Sequence, residues 1–311
     1  MDLGVIVVSY NTRDLTRDCL AAAYAAIEAA GLDAHVWVVD NASTDGSAEE
    51  VQRRFPQVTL IASDTNLGFA GGNNVALQAM GALDQPPRHV LLLNSDTVAH
   101  ADALGQMVSF LDASPHVGAV GAQLLYGDGS FQHGAFHFPT LLMALFDFWP
   151  LRNRLADTRL NGRYPPSRYA AGEPFPIDHP LGAALMMRWQ TFRQVGPLDE
   201  GYFMYCEEID WCLRAKRAGW AIYCVPRARV VHLAGQSTRQ FREAMVLALW
   251  RSRYRLFERH YPPAYRWAIR CIVAAGMAAE ARRTRRALHR GELTADEAER
   301  RLATYRAVRG L

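Results

Sequence analysis

The chain lacks any apolar run long enough to cross a bilayer. Half of its 311 residues are hydrophobic, yet no stretch reaches the roughly 18–20 apolar positions a spanning helix needs. The opening MDLGVIVVSYN has no basic n-region. Its short apolar run is expected to be a strand, not a signal peptide. Cysteine is sparse: positions 19, 206, 212, 224 and 271 show no paired metal spacing. Their odd number fits reduced thiols in a cytosolic protein rather than a disulfide framework. Internal repeats and low-complexity tracts are also missing, which excludes repeat arrays.

What is present is unevenly distributed. Residues 1–238 hold 17 Lys or Arg against 24 Asp or Glu, a net of −7; residues 239–311 hold 17 Arg against 7 acids, a net of +10. The first half alternates short apolar runs with helical patterns. GVIVVSY, HVWVVDN, VTLIAS, HVLLLNSD and VGAVGAQLLY read as strands. DLTRDCLAAAYAAIEAAG, STDGSAEEVQRRF, GGNNVALQAMGAL and residues 102–113 read as helices, the first stopped by Gly31. Near-continuous Val, Ile and Leu runs mark strands buried on both faces. The expected class is therefore α/β, a mostly parallel, Rossmann-like sheet flanked by helices.

Beyond residue 130 the periodicity loosens. GDGS reads as a hairpin turn, and residues 136–180, rich in aromatics and proline, as an irregular, mobile loop region. LGAALMMRW is expected to be a strand, and EEIDWCLRAKRAG a helix closed by Gly219. AIYCVPRARVVHL is extended and interrupted by Pro226. The division expected is a catalytic domain over residues 1–238 and a basic helical extension over residues 239–311.

Three of the strands end on polar residues: SYN (9–11), DN (40–41) and NSD (94–96). Ligands of parallel sheets bind beyond the carboxyl ends of the strands, so these ends should meet at one crevice. Asp96 suits Mg²⁺ or Mn²⁺, which take oxygen donors and keep positions for phosphate; it suits the cap of a following turn equally well. Asp40 can accept a hydrogen bond from a base edge or ribose, or serve a turn. NLGFAGGNN joins a strand to a helix and could cradle phosphate, but G-x-G-x-x-G is absent. Glu207, Glu208 and Asp210 open a helix, where the dipole alone favours acids. Asp210 and Arg214 are spaced to pair. Three acids after an aromatic stretch also suit a general base on a cleft floor. His232 follows an extended run; a lone histidine is more often structural than a ligand.

Taken in order, VIVVSYN, VVDNASTDGS, NLGFAGGNN, LLLNSD, VGPLDEGYFMYCEEIDWCLRAKRAGW and VVHLAGQST closely resemble the family 2 inverting glycosyltransferases of the nucleotide-diphospho-sugar transferase (GT-A) fold. The resemblance runs from residue 3 to about 238. It is strongest to bacterial rhamnosyltransferase-type members that build cell-surface polysaccharides. It implies that Ser9, Tyr10 and Asn11 line a nucleotide pocket and that Asp40 meets a pyrimidine. It also implies that Asn66, Gly71 and Asn74, with Asn94 and Ser95, border the nucleotide sugar. NSD stands in place of the family's DxD motif, with Asn94 for its first acid, so Asp96 carries the divalent cation together with His232. Glu208 falls where the family's base lies, usually an Asp, with Glu207 and Asp210 as neighbours. The donor implied is dTDP-L-rhamnose, with UDP-hexoses as alternatives; the acceptor is a glycan or polyprenyl-linked glycan.

The Arg-rich tail has three readings: a helix lying on an anionic membrane at the inner face of the plasma membrane, a helix packed on the catalytic domain, or a homodimer contact. Aromatic residues 141–151 fit an acceptor-facing surface or plain core. Nucleic-acid binding is not expected, because no aromatic platform accompanies the arginines and the front half is acidic. A nucleotidyltransferase would carry a Gly-rich, basic N-terminal loop, which GVIVVSYNTRD lacks. A nucleotide-sugar-binding pseudoenzyme is opposed by the presence of Asp96, Glu208 and His232.

Overall fold

A computed structural model describes residues 1–150, 153–233 and 242–311. The GQST end of VVHLAGQST and the expected boundary at 238/239 lie outside them. The chain begins β1 (Leu3–Ser9), α1 (Arg13–Ala30), β2 (Ala34–Asp40), α2 (Ser47–Arg54), β3 (Thr59–Ala62), α3 (Gly68–Gly81), β4 (His89–Asn94). It continues β5 (Thr97–Ala99), α4 (Ala103–Ala113), β6 (Val117–Leu125), β7 (Phe131–Gln132), β8 (Ala135–Phe136), α5 (Leu141–Phe148), α6 (Asn153–Ala156). After a 3₁₀ turn (Arg159–Asn161) come α7 (Pro166–Ala170), β9 (Phe175–Pro176), β10 (His179–Pro180), β11 (Ala184–Arg188), α8 (Trp189–Val195), α9 (Glu207–Arg217) and β12 (Ala221–His232). Three helices follow: α10 (Arg242–His260), α11 (Pro263–His289) and α12 (Ala295–Arg309).

The main sheet runs β3-β2-β1-β4-β11-β6-β12-β5. Its first four strands are parallel, as continuous apolar runs require. Val5 and Val7 face the side covered by α1 and α4, while Ile6 faces the side covered by α3 and α9. Leu3, Val5, Ile6 and Val7 are all fully buried, each contributing about 1.5–3 kcal/mol. β11 enters antiparallel between β4 and β6, so the sheet is mixed beyond β4. β12 pairs with β6, shifts register between Val225 and Arg229 around Pro226, and goes on to pair antiparallel with β5.

Residues 136–180 depart from the expected irregular loop. Those described form short elements with a shared aromatic packing. Thr140 caps α5 by accepting from the Met143 N–H at 3.2 Å. The Tyr169 hydroxyl accepts from the Ala135 N–H, and Phe175 and Ile177 are buried. Prolines keep these elements too short for periodicity to mark them, and burial of rings supplies the order instead.

The C-terminal helices share one hydrophobic cluster with α5: Phe148 stacks on Trp250, and Ile269, Val273, Met277 and Val308 close around them. The apolar face of α11 is therefore taken up by the chain itself. α12 begins with the reciprocal Thr294–Glu297 capping box. Gly276 of α11 lies so close to Phe148 that a Cβ would fall 2.3 Å from its ring. Gly276→Val should therefore force α5 off α11 and cost about 1–3 kcal/mol, read as a lower midpoint in urea unfolding.

Candidate active site

The carboxyl ends of the parallel strands lie side by side. Ser9 pairs with Asp40, and Val8 with Asn94. Beyond them opens a cavity of about 480 Å³. Part of its lining is polar: Tyr10, Thr12, Asn41, Asn66, Asn94 and Asp96. The apolar part of the lining comprises Phe69, Leu181, Phe203, Met204 and Met245. Glu207, Glu208 and His232 also line it.

Of the residues singled out in the sequence, Tyr10, Asn66, Asn94, Ser95, Asp96, Glu207, Glu208 and His232 meet at this cavity. Ser9 lies beneath it, fully buried, in a hydroxyl cluster with Thr12 and Thr16; Thr12 passes the cluster on to Ser95 at 3.1 Å. Asn11 supports the corner from outside, accepting from the Thr44 N–H at 2.8 Å. Asp40 is buried behind Asn41; one oxygen accepts from the Ser43 N–H and Oδ1 has no partner. Gly71 is buried in α3, where it packs on Leu67. Asn74 is spent on the loop before α9, donating to the Leu198 carbonyl and accepting from its N–H. Asp210 is fully buried and faces away from the cavity. It accepts from Arg214 at 2.7 Å and from His260 at 2.6 Å.

Sequence reasoning passed over several lining residues. Asn41 donates to the Gly68 carbonyl at 2.9 Å, and its buried Oδ1 has no partner. The polar end of HVWVVDN was the available signal. Gly68 has φ +70°, and a Cβ there would lie 2.2 Å from the Phe203 carbonyl oxygen. That close approach joins the 66–69 loop to the segment before α9, where the Phe69 N–H also donates to Phe203 at 2.9 Å. Leu181, Phe203 and Met245 are apolar residues in loops or first turns, with nothing in their pattern to mark them.

His232 stands opposite Thr97 in the β12–β5 ladder, beside Asp96. Its Nδ1 is 3.2 Å from the Gln132 Oε1, and its Nε2 is 3.5 Å from Asp96 Oδ1. Burial lowers the imidazole's pKa, against the pull of Asp96. A neutral ring that donates through Nδ1 turns a bare Nε2 lone pair toward the carboxylate. Two acceptors converging in this way suit a shared cation. Among the described residues no cluster of three or more His, Cys, Asp or Glu forms a metal cage. The remaining positions of such a cation would fall to ligand oxygens and water.

Glu207 and Glu208 begin α9. Burial pushes the Glu208 carboxyl up to about 7. Burial and then the neighbouring Glu208 push Glu207 well above the usual range, and its Oε2 has no partner. The residues just before them, Tyr205 and Cys206, are left-handed at φ 71° and 70°. With Asn11 and Ala42 they are the only non-glycine residues of positive φ among those described, and all four flank the cavity's strand ends or the start of α9. Strain of this kind concentrates at functional sites.

Fold and cavity together are those of a GT-A glycosyltransferase. The profile of glycosyl transferase family 2 matches residues 4–168, and that of glycosyl transferase family group 2 matches residues 89–290. The chain belongs to glycosyl transferase family 2. It is 30% identical over 287 residues to the N-acetylglucosaminyl-diphospho-decaprenol L-rhamnosyltransferase of Mycobacterium tuberculosis, covering 88% of this chain and 90% of that one. It is 27% identical to rhamnosyltransferase WbbL of Escherichia coli, over 56% of this chain and 64% of that one. The mannosyltransferase PcManGT of Pyrobaculum calidifontis, solved with GDP-Man and Mn²⁺, superposes with a TM-score of 0.56 at 18% identity, covering 98% of this chain and 84% of that one. That likeness bears on the fold alone.

The geometry assigns Asp210 to structure. Asp210→Ala would leave Arg214 and His260 without their buried carboxylate. The expected loss is about 3–5 kcal/mol of stability, measured by denaturant unfolding.

Proposed function

We propose that the protein is an inverting, divalent-cation-dependent glycosyltransferase that moves L-rhamnose from dTDP-L-rhamnose to a hydroxyl of a lipid-linked glycan. The observation that carries the reading is the meeting, in one cavity, of the Asp96–His232 pair with the buried carboxyl of Glu208. The kinship to the mycobacterial rhamnosyltransferase supports the donor and the class of acceptor. UDP-hexoses are the alternative donors.

In this reading Asn41 borders the nucleotide, and Asp40 behind it fixes that strand end through the Ser43 N–H. Asn66 and Tyr10 border it. Asp96 and His232 would hold the cation, which would supply positive charge against the departing nucleoside diphosphate. Glu208 takes the proton of the acceptor hydroxyl as that oxygen attacks the anomeric carbon. A base raised toward neutrality by burial holds a transferred proton better than an exposed carboxylate does. The apolar lining keeps water from competing with the acceptor.

The proposal includes peripheral contact with an anionic membrane. No helix of the described residues is long and apolar enough to cross one. α5 and its C-cap offer the surface: Leu142 and Trp149 are exposed, and the Trp149 ring stands edge-on to Phe148. Arg283 of α11 donates to the Phe148 carbonyl at 3.0 Å, so exposed Arg282, Arg285 and Arg286 flank the same end. Apolar and aromatic residues beside cations suit the headgroup region.

Release of nucleoside diphosphate from dTDP-, UDP- and GDP-sugars, with Mg²⁺ or Mn²⁺ and with EDTA, tests the reaction. Turnover of dTDP-L-rhamnose that EDTA abolishes is expected. A donor panel in which none binds with metal present would overturn the proposal. Glu208→Gln should retain donor binding and lose transfer by at least about 10³-fold, within the range general base catalysis supplies. Because the base works deprotonated, the wild-type rate should rise with pH and level off above about 7. Below that it should fall roughly tenfold per unit.

A further inference from the structure

One face of α10 grips the segment that carries the base. Ser252, Arg255, Leu256, Arg259 and His260 follow the i, i+3, i+4, i+7, i+8 spacing of a single helical stripe. The Ser252 hydroxyl donates to the Met204 carbonyl at 2.7 Å. Arg255 makes two hydrogen bonds to Asp199, at 2.9 and 3.0 Å, and its guanidinium lies where a Cβ on Gly201 would go. Arg259 also pairs with Asp199. Leu256 is fully buried in a cluster with Tyr202 and Cys206. His260 donates from Nε2 to Asp210 at 2.6 Å, while its Nδ1 accepts from Arg217 at 2.7 Å. Two turns earlier on the same stripe, Ala244 and Met245 line the cavity.

Between these grips lie Tyr205 and Cys206, the consecutive left-handed residues. Such a conformation is strained for a non-glycine residue and persists only where its surroundings over-determine it. Cys206 is the N-cap position of α9, and Glu208 is two residues on. The backbone at 205–206 thus sets where α9 starts and which of its residues face the cavity. α10 contributes to that restraint through Ser252 and Leu256, alongside the hydrogen bond from the Phe69 N–H to the Phe203 carbonyl.

We infer that Ser252 and His260 are positioning residues for transfer, acting through the Met204 carbonyl and Asp210 to hold Glu208 toward the cavity. The C-terminal helices are then part of the catalytic apparatus. This inference rests on the reading of Glu208 as base.

The test is Ser252→Ala in the full chain, with Ser252→Thr as the variant that restores the hydroxyl. The first readout is nucleoside diphosphate release from whichever donor the wild type turns over. Ser252→Ala should lower kcat about tenfold, as loosened orientation does, with KM for the donor within about twofold; Ser252→Thr should recover most of the rate. The second readout needs no turnover: amide hydrogen exchange over residues 203–208 should quicken about tenfold in Ser252→Ala and revert in Ser252→Thr. Unchanged kcat with unchanged exchange overturns the inference while leaving the proposed reaction standing. A parallel fall in kcat, donor binding and global stability also overturns it, because that is what a merely structural serine would do. A wild type that binds no donor with metal present refutes the proposed reaction instead, and the exchange arm still reads the clamp.

Discussion

The parallel register of β1 with β2 and β4 is the constraint on which the site depends. It sets Ser9 beside Asp40 and Val8 beside Asn94. Parallel strands need helices on both faces to bury their apolar side chains, so only the strand ends remain open to a ligand. Core burial and site formation are in this sense one event. The hydroxyls of Ser9, Thr12, Thr16 and Ser95 bond across that edge, which ties the NSD turn to the first strand–helix corner. Asp96 is held by this rigid edge on one side and by the β12–β5 ladder on the other. Its carboxylate then needs little reorganisation to meet a cation.

The Glu207–Glu208 side of the cavity is built by opposite means. It has no sheet edge to hold it. Two carboxylates sit buried at the start of α9, one oxygen without a partner, and the residues leading to them are in strained conformations. Each of these features costs stability. They are offset by contacts outside the cavity: the packing of Trp211 and Tyr202, the Asp210 ion cluster, and the close fit of Gly68 beneath the Phe203 carbonyl. That last contact also links the two halves of the site mechanically, because a shift of the 66–69 loop would carry the 203 carbonyl with it.

The parallel half of the fold was legible because its signals are local. Continuous Val and Leu runs ending in SYN, DN and NSD state both the strand and the side on which it opens. Residues 136–180 were not legible, because prolines break them into elements of two to eight residues held by ring packing, which leaves no period to detect. The antiparallel entry of β11 was equally hidden: AALMM reads as a strand, but pairing direction depends on the path of the chain before it. In the site, residues with unusual chemistry could be singled out, whereas Asn74 and Asp210 could not be sorted by type. An Asn or Asp that satisfies a loop carbonyl or an arginine looks the same in sequence as one facing a ligand. Only the partner decides, and the partners of Asp210 lie four and fifty residues away.

The same limit explains why the basic tail looked like an appendage. Its composition changes sharply near residue 239, and net charge is a reasonable marker of a separate unit. But many of the arginines there are structural cations. Arg253 pairs with Asp147, Arg255 and Arg259 with Asp199, and Arg270 with Glu258. Acids in the front half and arginines in the tail are two sides of one set of contacts, so the charge asymmetry records complementarity within the chain. Among the described residues, the tail arginines outside these ion pairs lie mainly on the end of α11 (Arg282, Arg285, Arg286) and along α12 (Arg300, Arg301, Arg306, Arg309). The tail therefore divides by position along its length. α10 lines the cavity with Ala244 and Met245 and packs on the segment before Glu208, while α11 and α12 close the core around Phe148 and carry the remaining arginines outward.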